Sequence, residues 1–557
     1  MMHLPDSQLC WIYRGQGMAT FGADSQPEAC PLPQPGPGEV LARVDAVSIC
    51  ASDVKMIEMA NDYPLFKDRD FSRHPAVLGH ELALTVVACG ADRLRDWPPG
   101  KRFGVQPDVW LNGERFCIGV NVAGGMAQYV LLGKEVFTSD NGCCAFAADP
   151  AISDAALAQT EPLACVEAAF VQHSRSDMKA QGDLLIWLAE DSQQPFILDM
   201  PLTASRITLV GDAEAFRRSV SGLPDRHYDY QPQLPARQFD DIIILGNPDG
   251  ATLSRLTAGM AVNGLLCWLP DSEPQAMVAA DIAQIHYHNL SLLGARSRRL
   301  SDAFSRQRYR YDYQPGGTLI LSGGGGTMGR IHLQRALKSA RAPAKIIVTG
   351  NSPHRLERMA SDFAGLINAA GIEVYYLALQ TTPDFAAEMA RLVGSQGATD
   401  IVVCAPGIEP LSEVVDFLAD DGLLVLFSGT RYGQHGPLPL GQVAWQQVTI
   451  SASSGSSVQD QLRVLEKIAS GEALPDFNVA AIGGLMTLKE GLQAVKTGRF
   501  TGKVVIYPQL TSLPLLALDQ LDSWDRRLAA TVNESGWSLL AERLLRESYP
   551  QPGDSPG

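Results

Sequence analysis

Residues 30–180 carry short apolar and polar alternations broken by Gly and Pro, which predicts strands and turns with few helices. EVLARVDAVSI (39–49) reads as a half-buried strand, HPAVLGHELALTVVACG (74–90) as a strand region bent at a glycine, and PPGKRFGVQP (98–107) as a turn and a strand. Near Pro162 the period lengthens, and EPLACVEAAFVQHS (161–174) has the 3.6-residue repeat of a helix. From Gly182 strands and helices alternate, the pattern of a parallel sheet with helices on both faces. FTGKVVIYP (500–508) predicts a final strand. The tail 516–548 has helical spacing of Leu, Trp and Val and is expected to pack as a cap or at an interface.

The strand–helix pattern occurs twice. GDLLIWLA (182–189) matches GGTLILSG (316–323), and ASRITLVGDAEAFRR (204–218) matches PAKIIVTGNSPHRLER (343–358). FDDIIILGNPDGATLSRLTAGMAVNGLLCWLPD (239–271) matches TDIVVCAPGIEPLSEVVDFLADDGLLVLFSG (399–429). Three matched blocks in the same order imply an internal duplication. The basic, turn-ended stretch 296–317 reads as the linker between copies.

SGGGGTMG (322–329) contains Gly324-x-Gly326-x-x-Gly329, follows an apolar strand and opens, at Thr327 and Met328, a helical run. That context predicts a dinucleotide seat. Gly324 would make the tight turn, Gly326 would admit a pyrophosphate to the backbone N–H groups, and Gly329 would let the helix pack on the sheet. The next strand, KIIVTG, ends at Gly350 rather than at a ribose-gripping acid. With Ser352 and Arg355 nearby and no carboxylate to repel a 2′-phosphate, NADP is favoured over NAD. The first copy instead has AEDSQQPF (189–196), where Glu190 and Asp191 would repel a pyrophosphate. It is expected to be a module that binds no dinucleotide, although Asp212 still ends its second strand.

Composition narrows the class. There are 61 acidic and 45 basic side chains, a net charge of −16, which argues against a nucleic-acid or anionic-membrane partner. The uncharged stretches Phe116–Gly133 and Tyr432–Gln459 are interrupted by Gly, Gln, Asn and Ser, so no membrane span is expected. The N-terminus lacks a basic start and apolar core, and ten cysteines over 557 residues are too sparse for a disulfide framework. Reduced thiols and a cytoplasmic location are expected.

Three polar elements precede the paired modules: SICASDVK (48–55) with Cys50, Ser52, Asp53 and Lys55; GHE (79–81) with His80 and Glu81; and TEPLACVE (160–167) with Glu161. Thiolate, imidazole and carboxylate are the ligand types of a catalytic zinc with an open position. Such an ion lowers the pKa of an alcohol and prepares hydride loss.

With these motifs in this order, the chain resembles the medium-chain, zinc-dependent alcohol dehydrogenase superfamily. Cys50-x-Ser52 with Lys55, HPAVLGHE (74–81), Glu161-Pro162-Leu163-Ala164-Cys165 and TGKVVIYPQLTSLPL (501–515) make it most similar to the polyol and sugar dehydrogenases, among them the L-sorbose 1-phosphate reductases. The resemblance implies an α/β architecture: a GroES-like, β-rich catalytic domain and two Rossmann-like doubly wound parallel-sheet modules, the first degenerate. The expected divisions are 1–180 catalytic, 181–312 degenerate module, 313–475 NAD(P)-binding, and 476–557 returning to the catalytic domain with a helical tail. Cys50, His80 and either Glu81 or Glu161 would hold one zinc, Glu161 being taken as the third ligand or a water-bridged partner and Glu81 as a close neighbour behind the ligands or an exchange ligand. Ser52 would meet the substrate oxygen, Lys55 would finish the proton relay or contact an anionic substrate, and Asp53 would orient a ligand. The region 108–125 holds only Cys117, so the structural zinc of many relatives is not expected.

The resulting expectation is hydride transfer between NAD(P)(H) and a secondary alcohol or ketone, a polyol, sugar or sugar phosphate, in a homo-oligomer (dimer or tetramer). The alternatives are a zinc-free quinone or enoyl reductase of the same superfamily, against which Cys50, His80 and Glu161 argue, and a catalytically idle binding or scaffold protein.

Overall fold

The computed structural model describes residues 4–172, 175–190, 192, 195–453, 455–532 and 536–549. The chain divides into two compact units, residues 1–167 with 455–557, and residues 168–454.

The first unit is built on an eight-stranded sheet. Its central strand, Val40–Ser48, pairs with Glu81–Cys89 on one side and Lys503–Tyr507 on the other, so residues from both ends of the chain share one sheet. The alternation at 39–49 predicts one wet face, yet only Arg43 escapes burial along Val40–Ser48. One face meets a core of Val44, Leu78, Leu84 and Phe103. The other, through Ala46, meets Val505, Tyr507, Trp537 and Leu545. The sheet is therefore covered by chain that lies hundreds of residues away. The buried Asp45 survives because Arg43 Nε (2.6 Å) and Thr85 Oγ1 (2.5 Å) donate to it. The tail expected to be helical forms short helices, Leu521–Trp524 and Arg526–Ala529, before the longer Leu539–Ser548. In that last helix Glu542 accepts from the backbone N–H groups of Asp154 (2.7 Å) and Ala155 (2.8 Å), closing the N-terminus of a short helix that leaves these donors free.

The second unit holds two six-stranded parallel sheets of identical order. In the second copy the sequence is Glu373–Ala378, Lys345–Gly350, Thr318–Ser322, Ala398–Val403, Leu418–Leu426, Thr449–Ala452. This 3-2-1-4-5-6 order is that of a dinucleotide-binding sheet. Strands of the first copy follow the same order, from Asp229–Gln231 to Ser291–Gly294. Register irregularities fall at corresponding places, Phe239/Asp241 and Ala398/Asp400. An arginine clip repeats too. Arg175 bonds Asp241 and the Asp240 carbonyl while its N–H donates to Ser291 Oγ (2.8 Å); Arg310 bonds Asp400 and the Thr399 carbonyl while its N–H donates to Thr449 Oγ1 (3.0 Å). These details support the duplication read from the sequence.

The copies differ in their helices: the second has Phe385–Val393 between Glu373–Ala378 and Ala398–Val403, whereas among the described residues the first has none between Asp229–Gln231 and Phe239–Leu245. Among the described residues no helix separates the strands Asp183–Leu188 and Arg206–Val210; only the short strand Phe196–Ile197 intervenes, paired with Val220–Ser221. Glu190 is exposed, and Asp191, Gln193 and Gln194 lie outside the described residues. Asp212 is used locally, its carboxylate accepting from the N–H groups of Glu214 (2.9 Å) and Ala215 (2.8 Å) to cap the helix Ala213–Ser219.

The copies meet through equivalent strands, Val278–Asp281 and His435–Leu438, which pair antiparallel with Val278 opposite Leu438 and Asp281 opposite His435. This is an isologous contact made inside one chain. Apolar residues of both copies, such as Trp268, Ile285, Leu424 and Val443, form one continuous core.

Candidate metal and dinucleotide sites

In the first unit, the helix Ala51–Met59 begins just after Cys50, and Asp53 lies in its first turn. Asp53 is fully buried; one carboxylate oxygen accepts from the Cys50 N–H (3.0 Å) and the other lies 3.2 Å from His80 Nδ1. A single carboxylate thus fixes both the turn carrying Cys50 and the His80 ring, leaving Nε2 to face the site. Gly79 (φ +93°) makes the bend that turns His80 out of the following strand, and a Cβ there would press on Met126 and Val47. Cys50, His80 and Glu81 then offer ligand atoms that all lie within 4.8 Å of one another. Glu81 Oε2 is buried with no hydrogen-bond partner among the described residues. Sulfur, imidazole and an unsatisfied buried oxygen on so small a sphere suit a zinc ion.

The structure sets Glu161 apart from that trio. It lies on the helix Thr160–Ala168, and Cys165, one turn along, donates its S–H to Glu161 Oε1 (3.4 Å). Burial raises the Glu161 pKa; His80 pulls it down and Glu81 pushes it up, so the carboxyl sits within the field of both. Burial opposes a charge on His80, but Asp53 and Cys50 outweigh it and raise its pKa well above the usual value. Ser52 Oγ stands 3.4 Å from His80 Nε2. Lys55 is exposed on the same helix, three residues further on.

Two residues here have no role in the sequence reading. Lys503, from the strand that follows Thr501-Gly502, is fully buried and donates to Glu81 Oε1 at 2.5 Å. Its pKa is raised: burial works against the charge, and Glu81 with Cys50 restores it. A lysine inside an apolar strand, KVVIY, was the available signal, but its partner lies 422 residues away. Cys117 is the other; burial pushes its thiol up to about 12, and it lies within reach of His80 and Glu161.

In the second unit, the loop after Thr318–Ser322 leads into the helix Thr327–Lys338, whose N-cap is Gly326. Among the described residues no side chain caps this helix, and nothing lies within 4 Å of where a Gly326 Cβ would stand, so the helix N-terminus borders open space. Gly324 and Gly329 are needed for a different reason. A Cβ on Gly329 would collide with the Gly324 carbonyl, so it is the loop's own backbone, rather than the sheet, that demands glycine there. Thr327 and Met328 open the helix, Met328 half-buried. The following strand ends at Gly350, as the sequence indicates, and Ser352 caps the next helix by accepting from the Arg355 N–H (3.4 Å). Arg355 borders the loop, its Cβ 3.8 Å from where a Gly325 Cβ would be.

Residues 36–139 match the alcohol dehydrogenase GroES-like domain. Mannitol-1-phosphate 5-dehydrogenase of Aliivibrio fischeri is 30% identical over 246 residues, 42% of this chain and 57% of that protein. L-sorbose 1-phosphate reductase of Klebsiella pneumoniae is 30% identical over 149 residues, 26% of this chain and 35% of that protein. Human sorbitol dehydrogenase is 35% identical over 94 residues, 17% and 25% of the two chains. The first of these matches thus spans little more than half the length of its relative. Among solved structures, 2R,3R-butanediol dehydrogenase from Bacillus subtilis shares the fold, with a TM-score of 0.51 at 15% identity over 90% of this chain and 100% of that one. Residues 36–139 thus match the GroES-like domain of alcohol dehydrogenases, and the chain is similar over part of its length to dehydrogenases and reductases of polyols and sugar phosphates.

Proposed function

We propose that the protein is a zinc- and NAD(P)-dependent oxidoreductase acting on a secondary alcohol or ketone of the polyol, sugar or sugar-phosphate class. The observation that carries this reading is the convergence of Cys50, His80 and Glu81 within 4.8 Å, with Asp53 behind the imidazole. Cys50 and His80 hold the ion, and a carboxylate completes the set. Glu81 stands within the trio, and Glu161, tethered among the described residues only through a weak thiol donor, can exchange with it. Zinc supplies a Lewis acid that draws electron density from the substrate oxygen. Ser52 Oγ takes the hydroxyl proton as it releases its own toward the solvent side, where Lys55 is exposed on the same helix and helps carry it away. The N–H groups at Gly326–Met328 receive the pyrophosphate, and the carboxylate-free end of Lys345–Gly350, with Ser352 and Arg355, favours a 2′-phosphate. The sugar-phosphate class is supported by two relatives whose names carry such substrates.

The test is metal analysis of the purified protein together with nicotinamide turnover against polyols, ketoses and their phosphates. About one zinc per chain, lost in Cys50→Ser, and NADPH-dependent ketone reduction are expected. Turnover in metal-free protein would favour a zinc-free reductase, and no turnover with any substrate would defeat the reading.

A further inference from the structure

The module without a phosphate loop is expected to bind no dinucleotide, yet it grips the other module at a particular place. All strands of the second sheet are parallel, so the loops after Ser322, Val403 and Leu426 open on one edge. Ligands of such sheets lie on that edge, across the point where strand order reverses, here between Thr318–Ser322 and Ala398–Val403. The Lys345–Gly350 half takes the adenosine, because its strand end faces the adenosine ribose. The Ala398–Val403 and Leu418–Leu426 half therefore serves the nicotinamide, and residues 427–434 form its outer loop.

That loop is held by the helix Ile282–Tyr287 of the first module and by the residues flanking it. His286 Nδ1 lies 3.0 Å from the Leu426 carbonyl, which accepts from it. Gly429 packs so closely that a Cβ there would strike the Tyr287 hydroxyl and stand 2.9 Å from His286. At the loop's far end Asp281 accepts from the Gly433 N–H (2.8 Å), and the Ile282 N–H donates to the Gln434 carbonyl (3.2 Å). Tyr432 packs on Tyr287 and His288, with centroids 5.7 and 5.9 Å apart. Inside the loop, Thr430 Oγ1 is buried with no hydrogen-bond partner among the described residues, a hydroxyl that a ligand or water would complete.

We infer that His286 and Tyr287 are positioning residues for the nicotinamide side of the dinucleotide site: the first module braces the second's loop 427–434 in its binding shape. This rests on the dinucleotide reading above. A braced loop does not have to be ordered when the ligand arrives, so the brace acts on affinity without touching the ligand. It also accounts for keeping a module that has lost its own phosphate seat.

The test compares two ligands. NADPH reaches both halves of the site, whereas 2′-phospho-ADP-ribose reaches only the adenosine half; NADH and ADP-ribose form the matching pair. Dissociation constants are measured on full-length protein for wild type, His286→Ala, Tyr287→Ala and His286→Asn, the last placing an amide N–H where Nδ1 stands. Loss of the brace is expected to weaken NADPH about tenfold, the cost of one or two hydrogen bonds, while 2′-phospho-ADP-ribose is unchanged and His286→Asn recovers most of the loss. Equal weakening of both ligands, as general destabilisation would give, or no weakening of NADPH, overturns the inference. If the wild-type chain binds neither ligand, the dinucleotide reading falls and the brace with it.

Discussion

Lys503 Nζ stands 2.5 Å from Glu81 Oε1, and both side chains are almost wholly out of water. The other oxygen of Glu81 finds no hydrogen-bond partner among the described residues. The lysine therefore neutralises a carboxylate from behind while its free face is turned to the Cys50–His80 group.

Replacing Lys503 by Met in the metal-free protein leaves that carboxylate buried and unpaired. Breaking a buried pair from one side costs about 3–5 kcal/mol, so a large fall in melting temperature is expected. The double change Lys503→Met with Glu81→Gln should recover much of it. A single variant as stable as wild type would show the pair to be idle.

Cys165 is the one hydrogen-bond donor the Glu161 carboxylate finds among the described residues. Cys165→Ala is expected to loosen zinc retention by about 10- to 100-fold, the range for losing a group that orients a ligand. Cys165→Ser keeps a donor and should stay near wild type. Competition with a chromophoric chelator reads this directly, and equal retention in the alanine variant would remove Glu161 from the metal's surroundings.

The glycine loop makes two opposite predictions. Gly326 has open space around it, so Gly326→Ala should fold with stability within about 0.5 kcal/mol of wild type but bind dinucleotide poorly, its methyl standing where phosphate would lie. Gly329→Ala collides with the Gly324 carbonyl and should lower stability as well. Thermal unfolding with and without NADPH separates the two. Undiminished binding by Gly326→Ala would place the phosphate elsewhere.

Burial raises the Asp476 carboxyl from 3.8 to about 7, against the pull of the Ser153 hydroxyl. Across that interval the folded chain holds a proton that the unfolded chain has released. Its stabilising contribution is complete below 3.8 and is lost as pH climbs through about 7. Asp476→Asn cannot titrate, so its stability should fall less than that of wild type between pH 4 and about 7. Parallel pH profiles of the two melting temperatures would rule this out.

Much of this protein is written locally. The Gly324–Gly329 loop, the carboxylate-free end at Gly350 and the order of Cys50, His80 and Glu161 are legible because each depends on near neighbours along the chain: a strand before, a helix after, a bend at Gly79. The doubled strand–helix pattern is legible for the same reason, since each unit repeats its own period. Burial of both faces of Val40–Ser48 was not, because the cover comes from residues near 505–545. Nor was Lys503, whose role depends on a glutamate 422 positions distant, nor the antiparallel seam that sets His286 against Leu426. Periodicity and short motifs report which face a residue shows and which backbone shapes it permits. Which distant charge or strand arrives on that face is decided by packing, where a buried carboxylate must find a cation and an open strand edge a partner.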